Sequence, residues 1–172
     1  MASGDTLLIL NPLHSSPPAT IAAQLDIIEG ASSPAENIPC IDFDAGASEY
    51  MDFPNLIMPK SYGDGGLTVD LIYSMASAIA NQVRWEAALR AIEDDSDDQD
   101  VSHTYDYNGV SDTVPSAVGR ISKATITFTD GADMDNVDAG DFFHLRVYRD
   151  HDHADDTATG DAQLQAIHIK ET

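Results

Sequence analysis

The second half of the chain is written in strict alternation, and a period of two serves a strand that buries one face and wets the other. Phe143, Leu145 and Val147 interleave with His144, Arg146 and Tyr148. Upstream, the run from Ile121 to Phe128 is read with Ile121, Ala124, Ile126 and Phe128 on an apolar face and threonines on the other, a surface that suits a half-solvated sheet. The last run, Gln163 to Ile169, changes phase: Leu164 and Ala166 share one face, then Ile167 and Ile169 the other, which predicts a β-bulge. Turns rich in aspartate separate these runs. The pattern specifies an all-β, antiparallel β-sandwich, which is a scaffold and names no chemistry.

The same period runs through the middle of the chain. Leu67, Val69, Leu71, Tyr73 and Met75 alternate with Thr68, Asp70, Ile72 and Ser74, and a long strand is expected from Gln82 to Ile92, with Trp85 on its apolar face. Between them, Ala76 to Asn81 reads as a loop or a single helical turn, because Met75, Ile79 and Val83 also fit helical spacing. Ile41 and Phe43 point one way while Asp42 and Asp44 point the other, and Asp52 to Met58 is an apolar segment cut by Pro54. Tyr105 and Tyr107 alternate in a strand that ends near Pro115. Ser61 to Gly66 is a glycine-built turn without the spacing of a phosphate-cradling loop.

Residues 1 to 39 read differently. Thr6 to Leu10 is a short strand stopped by Asn11-Pro12, Ala22 to Ile28 is a second, and Pro17, Pro18, Pro34 and Pro39 cannot donate to a ladder. Two readings stand side by side: an extended arm that reaches a neighbouring subunit, or a first sandwich strand followed by an irregular loop. The division adopted is an N-terminal arm over 1 to 39 and a sandwich domain over 40 to 172.

Thirty acids against eight lysines and arginines give a formal charge of -22. Such a surface repels phosphate backbones and anionic lipid, so neither nucleic acid nor membrane is expected as a partner. The acidity itself reads as a solubility device suited to salty water, or as clusters of cation ligands. A chain of 172 residues has room for one well-filled core, burying roughly 70% of its unfolded surface. Cys40 is alone, so no disulfide framework exists within the chain, and a reducing cytoplasm is the expected place of synthesis. The start, Met1 to Asp5, lacks the basic region of a secretory signal.

His151-Asp152-His153 beside Asp155 and Asp156 is the densest group of potential metal ligands, since two histidines at i and i+2 on a strand face one side and suit zinc. Flanking acids, Ala158 and Gly160 equally fit a loop. Asp94 to Asp100 lacks the glycine and distal glutamate of an EF-hand, and a solvated loop is the simpler reading. No serine sits in a nucleophile elbow and no HExxH occurs. Accordingly no catalytic, cofactor-binding or metal residue is assigned, no cofactor is expected, and the chain is read as non-enzymatic.

In this order the residues resemble a family of small structural proteins of tailed phages. The resemblance is carried by Met1-Ala2-Ser3-Gly4-Asp5-Thr6-Leu7-Leu8, Ile41-Asp42-Phe43-Asp44, Pro59-Lys60-Ser61-Tyr62, Gly65-Gly66-Leu67-Thr68-Val69 and Val83-Arg84-Trp85-Glu86. Thr127-Phe128-Thr129-Asp130-Gly131, Asp138-Ala139-Gly140-Asp141, Leu145-Arg146-Val147, Arg149-Asp150 and Gly160-Asp161-Ala162 extend it over nearly the whole chain. It implies a jelly-roll sandwich of about eight strands, built into the virion as a homotrimer that decorates or cements the major capsid protein or another virion protein. The proline-rich stretch around Ser32 to Pro39 and the acidic loop at Asp94 depart from the pattern. The alternative is a carbohydrate- or receptor-binding module of a fibre or tail, in which Tyr62, Tyr105, Tyr107 or Trp85 stacks on sugar rings; for Trp85 the competing role is a core anchor.

Overall fold

The computed structural model describes residues 4–77 and 81–172. Among these residues ten strands run in chain order: β1 (Thr6–Leu10), β2 (Gln24–Glu29), β3 (Asn37–Phe43), β4 (Glu49–Ile57), β5 (Leu67–Met75), β6 (Gln82–Ile92), β7 (Asn108–Thr113), β8 (Ser122–Phe128), β9 (Phe142–Arg149) and β10 (Ala162–Glu171). One sheet has the order β2-β3-β10-β5-β8 with β1 also on β10, and the other the order β4-β9-β6-β7; every pairing is antiparallel. Counted one to eight from β3 to β10, the strands fall in the orders 1-8-3-6 and 2-7-4-5, which is the jelly-roll arrangement. The eight expected strands are thus the body, and β1 and β2 are additions to one sheet.

The alternation places the core where the sequence put it. Leu67, Val69, Leu71, Tyr73 and Met75 of β5 face Val83, Trp85, Ala87 and Leu89 of β6 and Phe143, Leu145 and Val147 of β9 across the sandwich, all buried. Trp85 has no exposed surface and meets Phe43 and Tyr73 edge-on, with ring centroids 5.0 and 5.3 Å away. It is a core anchor. The phase change of the last strand is a bulge in the β10 to β5 register between Leu164 and Ala166. β4 carries a second irregularity between Phe53 and Leu56, where Asn55 adopts a positive φ of 60° beside Pro54. Gly66 closes the Ser61 to Gly66 turn with φ +82°, and a Cβ there would run into the Phe128 carbonyl.

Two expectations are corrected. Ile121 does not share a face with Ala124, Ile126 and Phe128: the odd offset puts it outward, 53% exposed, and β8 begins at Ser122. Tyr105 and Tyr107 precede β7 and lie in an extended segment outside the strand. Part of the N-terminal segment, read either as an extended arm or as a first strand, pairs within the chain. β1 pairs with β10, burying Leu7 and Leu10, while Ser16 and Ala23 donate to the Asp52 and Tyr50 carbonyls of β4. The chain crosses from one sheet to the other because β10 and β4 both have main-chain groups to satisfy there. The loop or turn expected over 76 to 81 lies in part outside the described residues.

Candidate functional site

Every second residue of β4, β9 and β6 points away from the core, so register alone decides which outward side chains meet. Tyr50 stands opposite Tyr148, and Tyr148 opposite Glu86; Asp52 stands opposite Arg146, and Arg146 opposite Ala88. The segment leading into β7 brings Tyr105 and Tyr107 to the same patch. Tyr50 and Tyr148 stack with centroids 4.2 Å apart and planes at 8°. Tyr107 lies 5.7 Å from Tyr148 and 6.4 Å from Tyr50, and Tyr105 lies 6.0 Å from Tyr107. All four rings remain partly exposed.

Arg146 braces the patch. Its Nε and one Nη donate to the two oxygens of Asp52 at 2.6 and 2.8 Å, and its guanidinium carbon sits 4.2 Å from the Tyr105 ring centre and 5.3 Å from that of Tyr50. A bidentate pair of this kind is fixed in direction, and the cation over two rings fixes them in turn. Burial pulls the Arg146 proton affinity down and Asp52 more than reverses it, so the guanidinium stays charged. Burial also pushes the Tyr107 hydroxyl up to about 12, with Arg146 opposing, and raises Tyr105 and Tyr148. The phenols therefore present neutral O–H groups. At the next step along β6, Arg84 pairs with Glu86 at 3.1 Å. Gly109 on β7 faces Glu86, and a Cβ at Gly109 would collide with the Arg84 guanidinium, so this glycine lets Arg84 lie flat across the sheet. At the other end, burial and then Arg90 lower the His144 pKa, against Asp52, keeping that ring neutral.

The result is a shallow aromatic surface in which each arginine of the patch is matched by a carboxylate. It offers ring faces, neutral hydroxyls and adjacent donors and acceptors. Those are the groups that hold an uncharged, polyhydroxylated ligand.

Of the tyrosines and tryptophan considered from the sequence, Tyr105 and Tyr107 belong to this patch; Tyr62 and Trp85 do not. Tyr62 is buried, donates to Asp130 at 2.7 Å and accepts from the Gly66 N–H at 3.0 Å, tying the turn before β5 to the loop after β8. Tyr50 and Tyr148 were missed. Each alternates with a core residue, Met51 and Val147, but the pairing that joins them links strands nearly a hundred residues apart and leaves no local signal.

The histidine group does not converge. His153 Nδ1 accepts from the Asp155 N–H at 3.1 Å, and Asp156 turns inward to Arg149. The Asp94 to Asp100 stretch caps itself, Asp97 accepting from the Glu93 N–H and Asp98 from the Asp100 N–H. Among the described residues, one group of three carboxylates meets: Asp64, Asp130 and Asp138, all exposed, with oxygens within 4.8 Å of one another.

No family model and no curated protein matches the chain. Solved structures do. The xylan-binding CBM22-1 domain of Paenibacillus barcinonensis Xyn10C is similar over 99% of this chain and 96% of its own, with a TM-score of 0.50 and 10% identity. A family 11 carbohydrate-binding module from Clostridium thermocellum, in complex with a β-1,3-1,4-mixed-linked tetrasaccharide, covers 98% and 96% with a TM-score of 0.46 and 12% identity. The C-terminal CBM6 of LamC from Zobellia galactanivorans covers 95% and 98% with a TM-score of 0.45 and 15% identity. At 10% identity the likeness to the CBM22-1 domain concerns the β-sandwich fold alone and leaves function to the site.

Proposed function

We propose that this chain is a non-catalytic carbohydrate-binding module that takes neutral polysaccharide on the outer face of its four-stranded sheet. The observation that carries this reading is the Tyr50–Tyr148–Tyr107–Tyr105 patch braced by the Arg146–Asp52 pair. Sugar rings lay their C–H faces on tyrosine rings, and neighbouring hydroxyls bridge a donor on Arg146 and an acceptor on Asp52. The rings lie partly exposed on the outer face of the sheet, so binding energy accumulates along a chain of sugars that spans them. A charge of -22 repels uronic and sulfated glycans, which narrows the ligand to uncharged polymers. The xylan-binding neighbour shares the fold and supports the reading.

Electrophoresis through gels cast with xylan or mixed-linked β-glucan tests it, alongside a neutral-glycan array. Retardation of the intact protein that is lost in Tyr148→Ala and Tyr50→Ala, but kept in Tyr62→Phe, is the expected result. Absence of binding to every neutral glycan sinks it.

The virion role has one observation in its favour, an apolar outer surface on the six-stranded sheet where Leu13 is 76% and Ile121 53% exposed. That surface fits a contact in an assembly. Co-sedimentation with assembled capsids, absent for free sugar binders, discriminates the two.

A further inference from the structure

The edge of the six-stranded sheet at β2 is open, and its chemistry specifies what can close it. Among the described residues β2 pairs only with β3, whose own pairing with β10 stops at Ile41, and Leu25 and Ile27 are 52% and 50% exposed. The Gly30 N–H donates to the Glu36 carbonyl across the hairpin end. This fixes the phase of the ladder: pairs alternate between hydrogen-bonded and non-hydrogen-bonded, so Ile27, opposite Pro39, has its N–H directed to the open side, as do Leu25 and Glu29. Proline at 39 fits, since a non-hydrogen-bonded site asks no donor of it.

The outward N–H of Ile27 is not bare. The Asp26 carboxylate accepts it at 2.8 Å. Beside this edge a cavity of about 460 Å³ is lined by Leu13, Leu25, Asp26, Ile27, Glu29 and Pro39, and a second of about 500 Å³, sharing Leu13 and Pro39, continues over Ile72 and Ile121. Among the described residues, the charges on this lining are Asp26 and Glu29, both negative.

We infer that β2 is a strand-addition site for an extended segment of a partner protein that alternates apolar and basic residues. A strand entering antiparallel to β2 takes the N–H and C=O groups of Leu25, Ile27 and Glu29. Its apolar side chains fill the grooves at Leu13 and Pro39. A lysine or arginine beside Asp26 draws the carboxylate off the Ile27 N–H and frees that donor for the incoming carbonyl. An acidic or purely apolar strand leaves Asp26 in place and the edge blocked, which is how charged residues guard exposed edges. A second copy of this chain is the disfavoured occupant, because two surfaces of charge -22 meet and both Asp26 side chains stay where they are. This site is on the opposite sheet from the tyrosine patch, and the inference does not rest on sugar binding.

The experiment uses the whole chain and three blocked ten-residue peptides, alternating valine with lysine, with glutamate or with serine, in about 0.5 M sodium chloride to shorten the screening length to a few ångströms. Hydrogen exchange followed by NMR is expected to show slowed exchange at Leu25, Ile27 and Glu29 with the lysine peptide alone. Ile27→Pro removes the edge donor at a position where a strand tolerates proline, and is expected to weaken binding at least tenfold with an unchanged circular dichroism spectrum and melting temperature. Equal binding of the glutamate peptide, equal binding to the Ile27→Pro variant, or protection away from β2 overturns the inference. So does a concentration-dependent dimer in sedimentation that Ile27→Pro abolishes, which assigns the edge to a second copy.

Discussion

Arg149 and Asp156 form an ion pair in which neither side chain has any exposed surface. Arg149 donates from Nε and Nη2 to the two carboxylate oxygens at 3.0 and 2.9 Å, from Nη1 to the carbonyls of Phe43 and Gly160, and from Nη2 also to Ala158. All five guanidinium donors are matched, a condition that makes a buried charge tolerable. Asp156 accepts the Arg84 N–H as well. The pair therefore pins the Asp150 to Gly160 loop against both sheets.

From this geometry, Arg149→Met should destabilise the fold by about 3 to 5 kcal/mol, since Asp156 is left buried and unpaired. Arg149→Met combined with Asp156→Leu should recover a large part of the loss. Urea unfolding of the single and double variants measures both; a cost below about 1 kcal/mol for the single variant contradicts the account.

The Arg146–Asp52 pair works differently, because its role is direction. Arg146→Lys keeps the charge but loses the planar fork and the stacking on Tyr105. The expected outcome is a loss of polysaccharide affinity of roughly tenfold or more, about 1.4 kcal/mol, with little change in melting temperature. Calorimetric titration with a soluble neutral glucan decides, and unchanged affinity moves the ligand away from this arginine.

How much of this was legible in the sequence depended on whether the signal was local. β5, β6 and β9 keep their large apolar side chains on one face, even where Asp70, Ser74 and Ala88 are buried on the other, so their alternation survives in the residues and the core follows from it. The bulge in β10 was readable for the same reason. Ile121 is apolar but of the outward parity, and the groove it borders is formed only when β10 and the turn at Leu13 come beside it. The site was half legible: Tyr105 and Tyr107 stand out as a pair, whereas Tyr50 and Tyr148 meet only through the β4 to β9 register. Arg149 continues the inward phase of Phe143, Leu145 and Val147, yet its partner comes from a loop whose shape no periodicity encodes.

Asp42 supplies a pH dependence with a definite sign. It lies on the outer face of β3 with one oxygen buried and without a partner; burial, then Asp161, Asp26, Glu49 and Asp44, raise its pKa to about 6. A carboxyl whose folded pKa exceeds its unfolded value of about 3.9 contributes stability fully below that value and loses it as pH rises through about 6. Asp42→Asn should therefore stabilise the protein by on the order of 1 to 2 kcal/mol at pH 8, after allowance for solvent screening, and change little at pH 3.5. Glu49 shifts in the same direction, so the difference between variant and parent, and not the parent alone, isolates Asp42. Thermal melts across that range test it, and a difference independent of pH rules it out.

The N-terminal residues should prove necessary to both the fold and the site. Leu7 and Leu10 are buried against the core, and the segment 21–23 exchanges main-chain bonds with Tyr50 of β4, the Ala23 N–H reaching the Tyr50 carbonyl and the Tyr50 N–H the Ile21 carbonyl, each at 2.9 Å. Leu10→Ala is expected to cost about 2 to 4 kcal/mol. Deleting residues 1 to 23 should lower the unfolding midpoint sharply and weaken sugar binding, because the β4 edge that carries Tyr50 and Asp52 loses its neighbour. A truncated chain that unfolds at the parental urea concentration would contradict this and favour the reading of these residues as an arm for a neighbouring subunit.

Asp64, Asp130 and Asp138 bring three exposed carboxylates within 4.8 Å in a chain of charge -22. At low ionic strength their repulsion is screened little, whereas at 1 M salt the screening length falls to about 3 Å. Asp138→Asn should accordingly stabilise the protein by a few tenths of a kcal/mol in dilute buffer and not at all in molar sodium chloride, while the parent's own melting temperature rises with salt. The same melts with millimolar calcium at constant ionic strength separate repulsion from coordination. If the three carboxylates only repel, calcium adds nothing beyond its ionic strength and the variant responds like the parent. If calcium instead raises the parent's melting temperature and Asp138→Asn abolishes that rise, the group coordinates a cation and the repulsion account of these loops is wrong.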